Sequence, residues 1–352
     1  MVNSLLMLDP IYSLFSKDIA LDLGTANCVI HVKGKGILIR EPSVVALNKK
    51  TGEILAIGIE AKKMLGKTPA TISAIRPLRE GVISDFESTS QMISYFIKKV
   101  HPVNPGFSFL VHPRIVVGVP SSITEVEQRA VVEACEKAGA RKVFLLEEPM
   151  AAAVGSGLPV DEPAGSMIVD VGGGTTEIAV ISLGGVVVGK SIKLAGDKMD
   201  LEIVNYAKEK YGLLLGERMA EEAKVLIGSA ASFKDDDKVV TEMRGRDIKS
   251  GLPRSVKVAA PEIREALSLS IILIVESIKD TIEETPPELV ADITRKGIVL
   301  AGGGSLLRGI DKLVEAETGV PVRVSDNPMD AVTRGCAKAL DDEKLLDRIR
   351  LH

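Results

Sequence analysis

The stretch DVGGGTTE, Asp170 to Glu177, constrains this chain more than any other. Three consecutive glycines suit neither helix nor strand, because a residue without Cβ loses the most backbone freedom on ordering. Here they stand between two apolar runs, SMIV and IAVISL, with an Asp closing the first run and two Thr behind the glycines. The order apolar residues, Asp, apolar, glycine, Thr occurs at MIVDVGGGT (Met167–Thr175) and again at IALDLGT (Ile19–Thr25). Each copy leads into a further apolar run. Two copies that far apart predict two halves of like topology rather than a solenoid.

The surroundings alternate between strand and helix patterns. DIALDLG and VIHVKGKGILI read as strands around a turn, RIVVGVP and KVFLLEE as short buried strands, and SMIVDV, TEIAVISL and VVVGKSIKL as three strands in a row. ESTSQMISYFIKKV places Met92, Ile93, Phe96, Ile97 and Val100 at helical spacing. TEVEQRAVVEACEKAGA reads as a helix opened by a Thr124–Glu127 capping box and stopped at Gly139. PEIREALSLSIILIVESIKDTIEE is a long helix, too apolar around Ser268–Ile278 to lie alone on a surface, and GIVLAGGGS is a strand ending in glycines. ASFKDDDK (Ala231–Lys238) reads as an exposed loop or turn, and RGRDIKSGLPR as a second polar, irregular segment. The fold class is α/β, with partly parallel sheets.

Composition narrows the function. Lys and Arg number 44 against 48 Asp and Glu, a net charge of −4, which leaves no electrostatic footprint for nucleic acid. Cys28, Cys135 and Cys336 lie far apart with no CxxC, so a disulfide framework or zinc site is not expected and a reducing compartment fits. No apolar run approaches the ~20 residues that span a bilayer, and the leader MVNSLLMLDPIYSLFSKD lacks the basic start and small-residue cleavage site of a secretory signal.

Two nucleotide motifs fail on inspection. AKKMLGKT (Ala61–Thr68) has the GKT of a phosphate loop, but Ala61 stands where its first glycine belongs, and a basic surface turn explains it better. GKGILI, GSGLPV and GGGSLL all miss the last glycine of a dinucleotide fingerprint. Three bends remain: DLGTAN, DVGGGTTE and LAGGGSLLRG. Glycines let backbone N–H groups converge on an anion, and Thr hydroxyls add donors. An Asp at the end of the preceding strand is repelled by phosphate but suits a divalent cation or its water shell. A plain tight turn accounts for one such bend. Three, two of them with the same Asp-to-Thr order, favour two hairpins clasping a polyphosphate.

These bends resemble the phosphate-1, phosphate-2 and adenosine motifs of the actin, sugar-kinase and heat-shock-chaperone ATPase superfamily. GKGILIREPSVVAL, AIRPLREGVISDFE, EEPMAAAVGSGLP, AGDKMD, TPPELVADI and AGGGSLLRGID are similar to the MreB family of rod-shape-determining bacterial actins, over about Asp18 to Leu340. The resemblance implies an actin-like fold of two related lobes with ribonuclease-H-like cores, each with a smaller subdomain, and nucleotide in the cleft between. Its expected bounds are 18–41, 82–155 and 326–352 for subdomain IA, 42–81 for IB, 156–196 and 257–325 for IIA and 197–256 for IIB, after an apolar segment at 1–17.

The resemblance also implies residue roles. Asp22 and Asp170 would hold Mg²⁺ through water. Thr25, Ala26 and Asn27 would form the first phosphate loop, and Gly172, Gly173, Gly174 and Thr175 the second. Gly302, Gly303, Gly304, Ser305 and Leu306 would lie against adenosine. Glu221 and Lys224 would face ribose and adenine, with Glu222 and Ala223 beside them departing from the family's usual AERIK. Glu148 would orient the attacking water. From the residues alone, Glu148 reads first as a carboxylate placed at a helix start, favourable beside its free N–H groups.

The resemblance also implies two membrane contacts: the apolar leader, broken by Pro10, and NPGFSFLVHP, whose apolar Phe107, Phe109 and Leu110 between prolines call for an explanation. The implied protein binds ATP with Mg²⁺ and hydrolyses it slowly. It forms a homopolymer of paired protofilaments, lies peripherally on the inner face of the cytoplasmic membrane, and works with cell-wall elongation and membrane adaptor proteins. The alternatives are a small-molecule kinase of the same superfamily, for which no second substrate motif stands out, and a chaperone ATPase or FtsA-type protein. The first of that pair would need a peptide-binding domain after the nucleotide domain, the second an amphipathic C-terminal anchor in place of this charged end.

Overall fold

The computed structural model describes residues 17–100 and 112–351. The candidate membrane residues Phe107, Phe109 and Leu110, and all but the last residue of the apolar leader, lie outside the described residues. The chain divides into two compact units: one runs up to Val160 and resumes at Asp330, and the other is inserted between them, from Asp161 to Met329.

The first unit starts with a meander, β1 (Ile19–Leu23), β2 (Asn27–Val32) and β3 (Gly36–Pro42). A small antiparallel sheet follows, from β4 (Val45–Asn48), β5 (Ile54–Ile57) and β6 (Ile72–Ile75), with helix α1 (Ile59–Met64) between its last two strands and the pair β7 (Leu78–Arg79) and β8 (Val82–Ile83) after it. The AKKM of the failed phosphate loop is the last four residues of α1, with Ala61 buried, so helix precedes glycine here, the reverse of a phosphate-loop frame. Helix α2 (Phe86–Val100), strand β9 (Arg114–Val119), helix α3 (Glu125–Lys137), strand β10 (Lys142–Glu147) and helix α4 (Glu148–Gly155) complete this part. The sheet order is β10-β9-β1-β2-β3: β1 pairs antiparallel with β2 and parallel with β9. The Thr124–Glu127 box caps α3, and Gly139, at φ 103, follows its end as expected.

The second unit repeats the plan. β11 (Ser166–Val171), β12 (Thr176–Ser182) and β13 (Gly185–Ile192) form a meander. Then come helix α5 (Gly196–Tyr211), β14 (Leu213–Leu214), helix α6 (Glu217–Ile227), β15 (Val240–Asp247), β16 (Pro253–Ala259), helix α7 (Ala260–Glu283), helix α8 (Pro287–Lys296), β17 (Ile298–Ala301), helix α9 (Ile310–Thr318) and β18 (Val322–Val324). The sheet order β13-β12-β11-β17-β18 is the first sheet read from its other end: three antiparallel meander strands, then two parallel ones. β11 and β17 are buried along their whole length, as central strands covered on both faces must be. The pattern repeat at Asp22 and Asp170 is therefore a repeat of topology, as expected from the sequence.

Two polar readings are corrected. RGRDIKSGLPR is the end of β15, a turn and the start of β16; only Met243 of β15 is buried, so the strand carries charges along an exposed face and its sequence reads as a loop. ASFKDDDK does contain a turn, a 3-10 helix at Asp236–Lys238, but Asp236 is buried and accepts from Arg264 NH1 (2.7 Å), the Phe233 amide (2.7 Å) and Arg308. The long helix α7 packs Ile263, Leu267, Ile271, Ile274 and Ile278 into the core while Leu269 and Ile272 stay exposed.

The chain then returns to the first unit with α10 (Ala331–Asp341) and α11 (Glu343–Ile349). Helix α10 meets α4 at two glycines: a Cβ on Gly335 would stand 1.7 Å from the Ala151 carbonyl oxygen, and one on Gly155 1.8 Å from that of Ala331. Only backbone fits there, and this contact fixes the helix that begins with Glu148.

Candidate functional site

In the first unit, β1 carries Asp22 to the bend at Gly24. A Cβ at Gly24 would stand 2.6 Å from the Asn27 carbonyl oxygen, so the bend is closed backbone on backbone. Ser43 supports it from both sides: its hydroxyl donates to Gly24 O (2.6 Å) and its amide to Ala26 O (3.0 Å). Thr25 is buried and its Oγ1 accepts from the Gly81 amide (3.2 Å), while Asn27, at the start of β2, is exposed. Burial, and then the charge of Asp330, push the Asp22 carboxyl up to about 7 against a hydrogen bond from the Gly24 amide. Asp330 is itself buried and gripped by both ends of the Arg40 guanidinium, Nε to Oδ1 at 2.8 Å and NH2 to Oδ2 at 2.7 Å.

Glu148 opens α4 with Glu147 as N-cap and Pro149 in the first turn. Its stem lies over Gly118 of β9, where a Cβ would be 3.8 Å from Glu148 Cγ and 2.5 Å from Val332 Cγ1. Cys336 of α10 lies near both Asp22 and Glu148: burial first, then those two carboxylates, raise its thiol far above the ordinary value. The first bend and Glu148 are thus gathered at one end of β1 and β9, above a neutral thiol.

In the second unit, Asp170 is buried at the end of β11, and the glycine bend closes through Gly172 N to Thr175 O (2.9 Å), with Thr175 buried. Helix α5 meets this bend directly. The Gly196 and Asp197 amides, in its first turn, donate to Gly172 O (3.2 Å) and Gly173 O (2.8 Å). Thr176 Oγ1, at the start of β12, donates to Leu194 O (2.5 Å), just before α5. The third bend lies against the second: Gly302, at φ 76, is so close to β11 that a Cβ would stand 2.3 Å from both Asp170 Oδ1 and Val171 O, and one on Gly304 2.3 Å from Val171 Cγ1. Ser305 Oγ donates to Gly302 O (2.7 Å) and is buried, whereas Leu306 is exposed.

Helix α6 is less simple than its resemblance implied. Ala223 is buried in the unit's core, and Glu222 is exposed and accepts from Arg218 Nε (2.9 Å). Lys224 Nζ contacts Asp200 Oδ1 (2.8 Å) and donates to Gly196 O (2.7 Å), both on α5. Burial pushes the Asp200 carboxyl up to about 6; Lys224 opposes this, and Glu221 and Asp197 add to it. Glu177 is a further buried carboxylate. It is the register partner of Asp170 across β11 and β12, so both side chains leave the same face, and it accepts from Ser191 Oγ (2.7 Å).

Sequence reasoning singled out neither the Asp330–Arg40 pair, nor Asp200, nor Ser191. Glu177 lay inside DVGGGTTE, and its two-residue alternation with Thr175 was the available signal. The others are joined only by tertiary contact. Among the described residues no group of three or more His, Cys, Asp or Glu is arranged to hold a metal ion, and no helix is long and apolar enough to cross a membrane.

The MreB/Mbl protein family matches residues 16–348. The chain belongs to that family. The cell shape-determining protein Mbl of Bacillus subtilis is 51% identical over 338 residues, 96% of this chain and 100% of its own. The cell shape-determining protein MreB of Escherichia coli K12 is 49% identical over 340 residues, 95% and 96% of the two chains. Among solved structures, MreB5 of Spiroplasma citri, determined with ADP and with AMPPNP, matches with a TM-score of 0.87 and 35% identity over 95% of this chain and 98% of its own. The MamK double helical filament matches with a TM-score of 0.77 at 22% identity over 93% of this chain and 99% of its own, a likeness of fold alone. The fold of this MreB/Mbl-family chain is actin-like.

Proposed function

We propose that this MreB/Mbl-family chain is an ATP-dependent, filament-forming cytoskeletal protein that determines cell shape by organising peptidoglycan elongation at the inner face of the membrane. The observation that carries the nucleotide part is the convergence of two glycine bends, Gly172–Thr175 and Gly302–Ser305, around the buried Asp170, where Gly302 and Gly304 lie so close to β11 that a side chain on either would clash. The solved relative bound to ADP and to AMPPNP supports the same reading, and the names of the cell shape-determining relatives support the cellular role. The subdomain bounds proposed from the sequence belong to this reading.

Asp22 and Asp170 would hold Mg²⁺ through water; their oxygen chemistry suits that cation, and Asp22, pressed by burial and by Asp330, is a carboxylate that a divalent charge relieves. The ion would supply charge neutralisation at the phosphates. Gly172–Thr175 and Thr25–Asn27 would donate to phosphate oxygens. Glu148 would align a water and accept its proton as the water oxygen bonds to the terminal phosphorus and the bridging P–O bond breaks, leaving ADP. Glu221 and Gly302–Leu306 would face the nucleoside. Hydrolysis would be slow and serve filament turnover.

For the membrane, the parallel pairing Ile19↔Ile115 supports the reading: β1 and β9 begin side by side, one shortly after the apolar leader and the other after the Phe107–Leu110 loop. Electron microscopy of the purified chain with Mg·ATP on a lipid monolayer tests the whole. Paired straight filaments are expected. Their absence across salt and nucleotide conditions, together with phosphoryl transfer to an added small molecule, would replace this reading by the kinase.

A further inference from the structure

We infer that Lys224, together with Asp200, is a positioning residue that holds the Gly172–Thr175 bend in its anion-receiving shape by tying it to the helix that supports the adenosine bend. This deepens the nucleotide reading above and rests on it for the identity of the anion.

The links are continuous within the second unit. The bend's carbonyls, Gly172 O and Gly173 O, are fastened by the first amides of α5. The carbonyl of that same first residue, Gly196, accepts from Lys224 Nζ at 2.7 Å. A Cβ on Gly196 would approach Lys224 Nζ to 3.3 Å and Gly173 Cα to 3.7 Å, so ammonium, helix start and bend are packed against one another. Asp200, one turn further along α5, holds the same ammonium at 2.8 Å, and the side chains of both partners are largely buried, 15% and 8% exposed. A buried ion pair of this kind fixes geometry more than it adds stability, because desolvation offsets most of the attraction.

The other end of α6 is tied to the adenosine bend. A Cβ on Gly228, its C-cap, would stand 3.1 Å from Leu307 Cδ1, Ser229 bridges to Arg308, and the Ala230 amide donates to Arg308 O (2.8 Å). Helix α6 thus reaches from the segment after Gly302–Leu306 to the start of α5. Were Lys224 only a base contact, neither Asp200 nor the Gly196 carbonyl would be needed to hold it.

The test uses Lys224→Met and Asp200→Asn, which keep side-chain length, and Lys224→Arg as rescue. Hydrogen exchange of the nucleotide-free chain is followed in peptides covering 172–176 and 195–200, and affinities are measured for Mg·AMPPNP and Mg·ADP. Lys224→Met is expected to speed exchange of the bend about tenfold and to weaken AMPPNP about tenfold, with ADP changed less than about twofold, the scale of one charge-assisted hydrogen bond. Asp200→Asn moves both readouts in the same direction, and Lys224→Arg restores them. Should Lys224→Met fail to fold, Asp200→Asn carries the same two readouts. Unchanged exchange overturns the inference. So does equal weakening of ADP and AMPPNP by Lys224→Met with Asp200→Asn silent, which makes Lys224 a base contact. If the wild-type chain binds neither nucleotide, the functional reading fails while the exchange result still decides the strut.

Discussion

Gly302 and Asp170 touch so closely that a single added carbon on the glycine would stand 2.3 Å from a carboxylate oxygen. The backbone there also adopts φ 76, which an L side chain tolerates poorly. Gly302→Ala is therefore expected to lower stability by about 2–4 kcal/mol and to weaken Mg·nucleotide binding by displacing Asp170. Urea unfolding and a fluorescent-nucleotide titration check both; an unchanged denaturation midpoint would show that the bend yields.

In the function proposed above, Glu148 differs from the binding residues by taking a proton. Glu148→Gln keeps the shape and hydrogen bonding of the side chain at the start of α4 but cannot take a proton. Phosphate release is expected to fall about 10²–10⁴-fold, with nucleotide affinity within about threefold of wild type. Equal loss of both would make Glu148 a binding group.

The crossing of α4 and α10 admits no side chain at Gly155 or Gly335. Gly335→Ala is expected to cost about 2–4 kcal/mol and to slow hydrolysis, since the helix that presents Glu148 must shift. Gly185→Ala serves as control: its nearest neighbour would be 3.9 Å away, and a change within about 0.5 kcal/mol is expected. Thermal unfolding of the two variants compares them directly.

Asp200 gives a pH dependence with a definite sign. Its folded value, about 6, lies above the ordinary carboxylate value because burial outweighs Lys224, with Glu221 and Asp197 adding to the rise. Between about pH 4 and 6 the folded chain therefore binds more protons at this position than the unfolded one, and stability falls as pH rises. Relative to Asp200→Asn, the wild type is expected to lose on the order of 1–3 kcal/mol across that window. Urea midpoints of the two proteins at about pH 4.5, 5.5 and 6.5 measure it; parallel curves would refute it.

The segment holding Phe107, Phe109 and Leu110 is tested on lipid. The double variant Phe107→Ser/Phe109→Ser is expected to lose most of its co-sedimentation with liposomes, as removing two aromatic anchors takes away about 3–5 kcal/mol of apolar insertion. Unchanged binding would show that this segment is no membrane contact.

How legible this was depended on the range of the interaction. The Asp-to-Thr bends, the capping box at Thr124–Glu127 and the buried central strands are local patterns, and each appeared in the sequence at its residues. The charged strand β15 did not, because with Met243 as its one buried residue it lacks the apolar alternation by which a strand is recognised. Asp236 read as loop for a related reason: its arginine partners, Arg264 and Arg308, are far off in the chain. At the candidate site, the glycines announced that backbone comes close to something, but not that in Gly155 and Gly335 it is another helix and in Gly302 a carboxylate. The resemblance gave Lys224 a nucleoside contact, while its ammonium is held by Asp200 and Gly196 of the neighbouring helix.

Helix α10 belongs to the first unit yet follows the whole inserted unit in the sequence. During synthesis the strand carrying Asp22 must wait, uncovered on that side, until the inserted unit has left the ribosome. The unit whose translation starts first is thus completed only after its neighbour, and the first bend stays without its final cover until then.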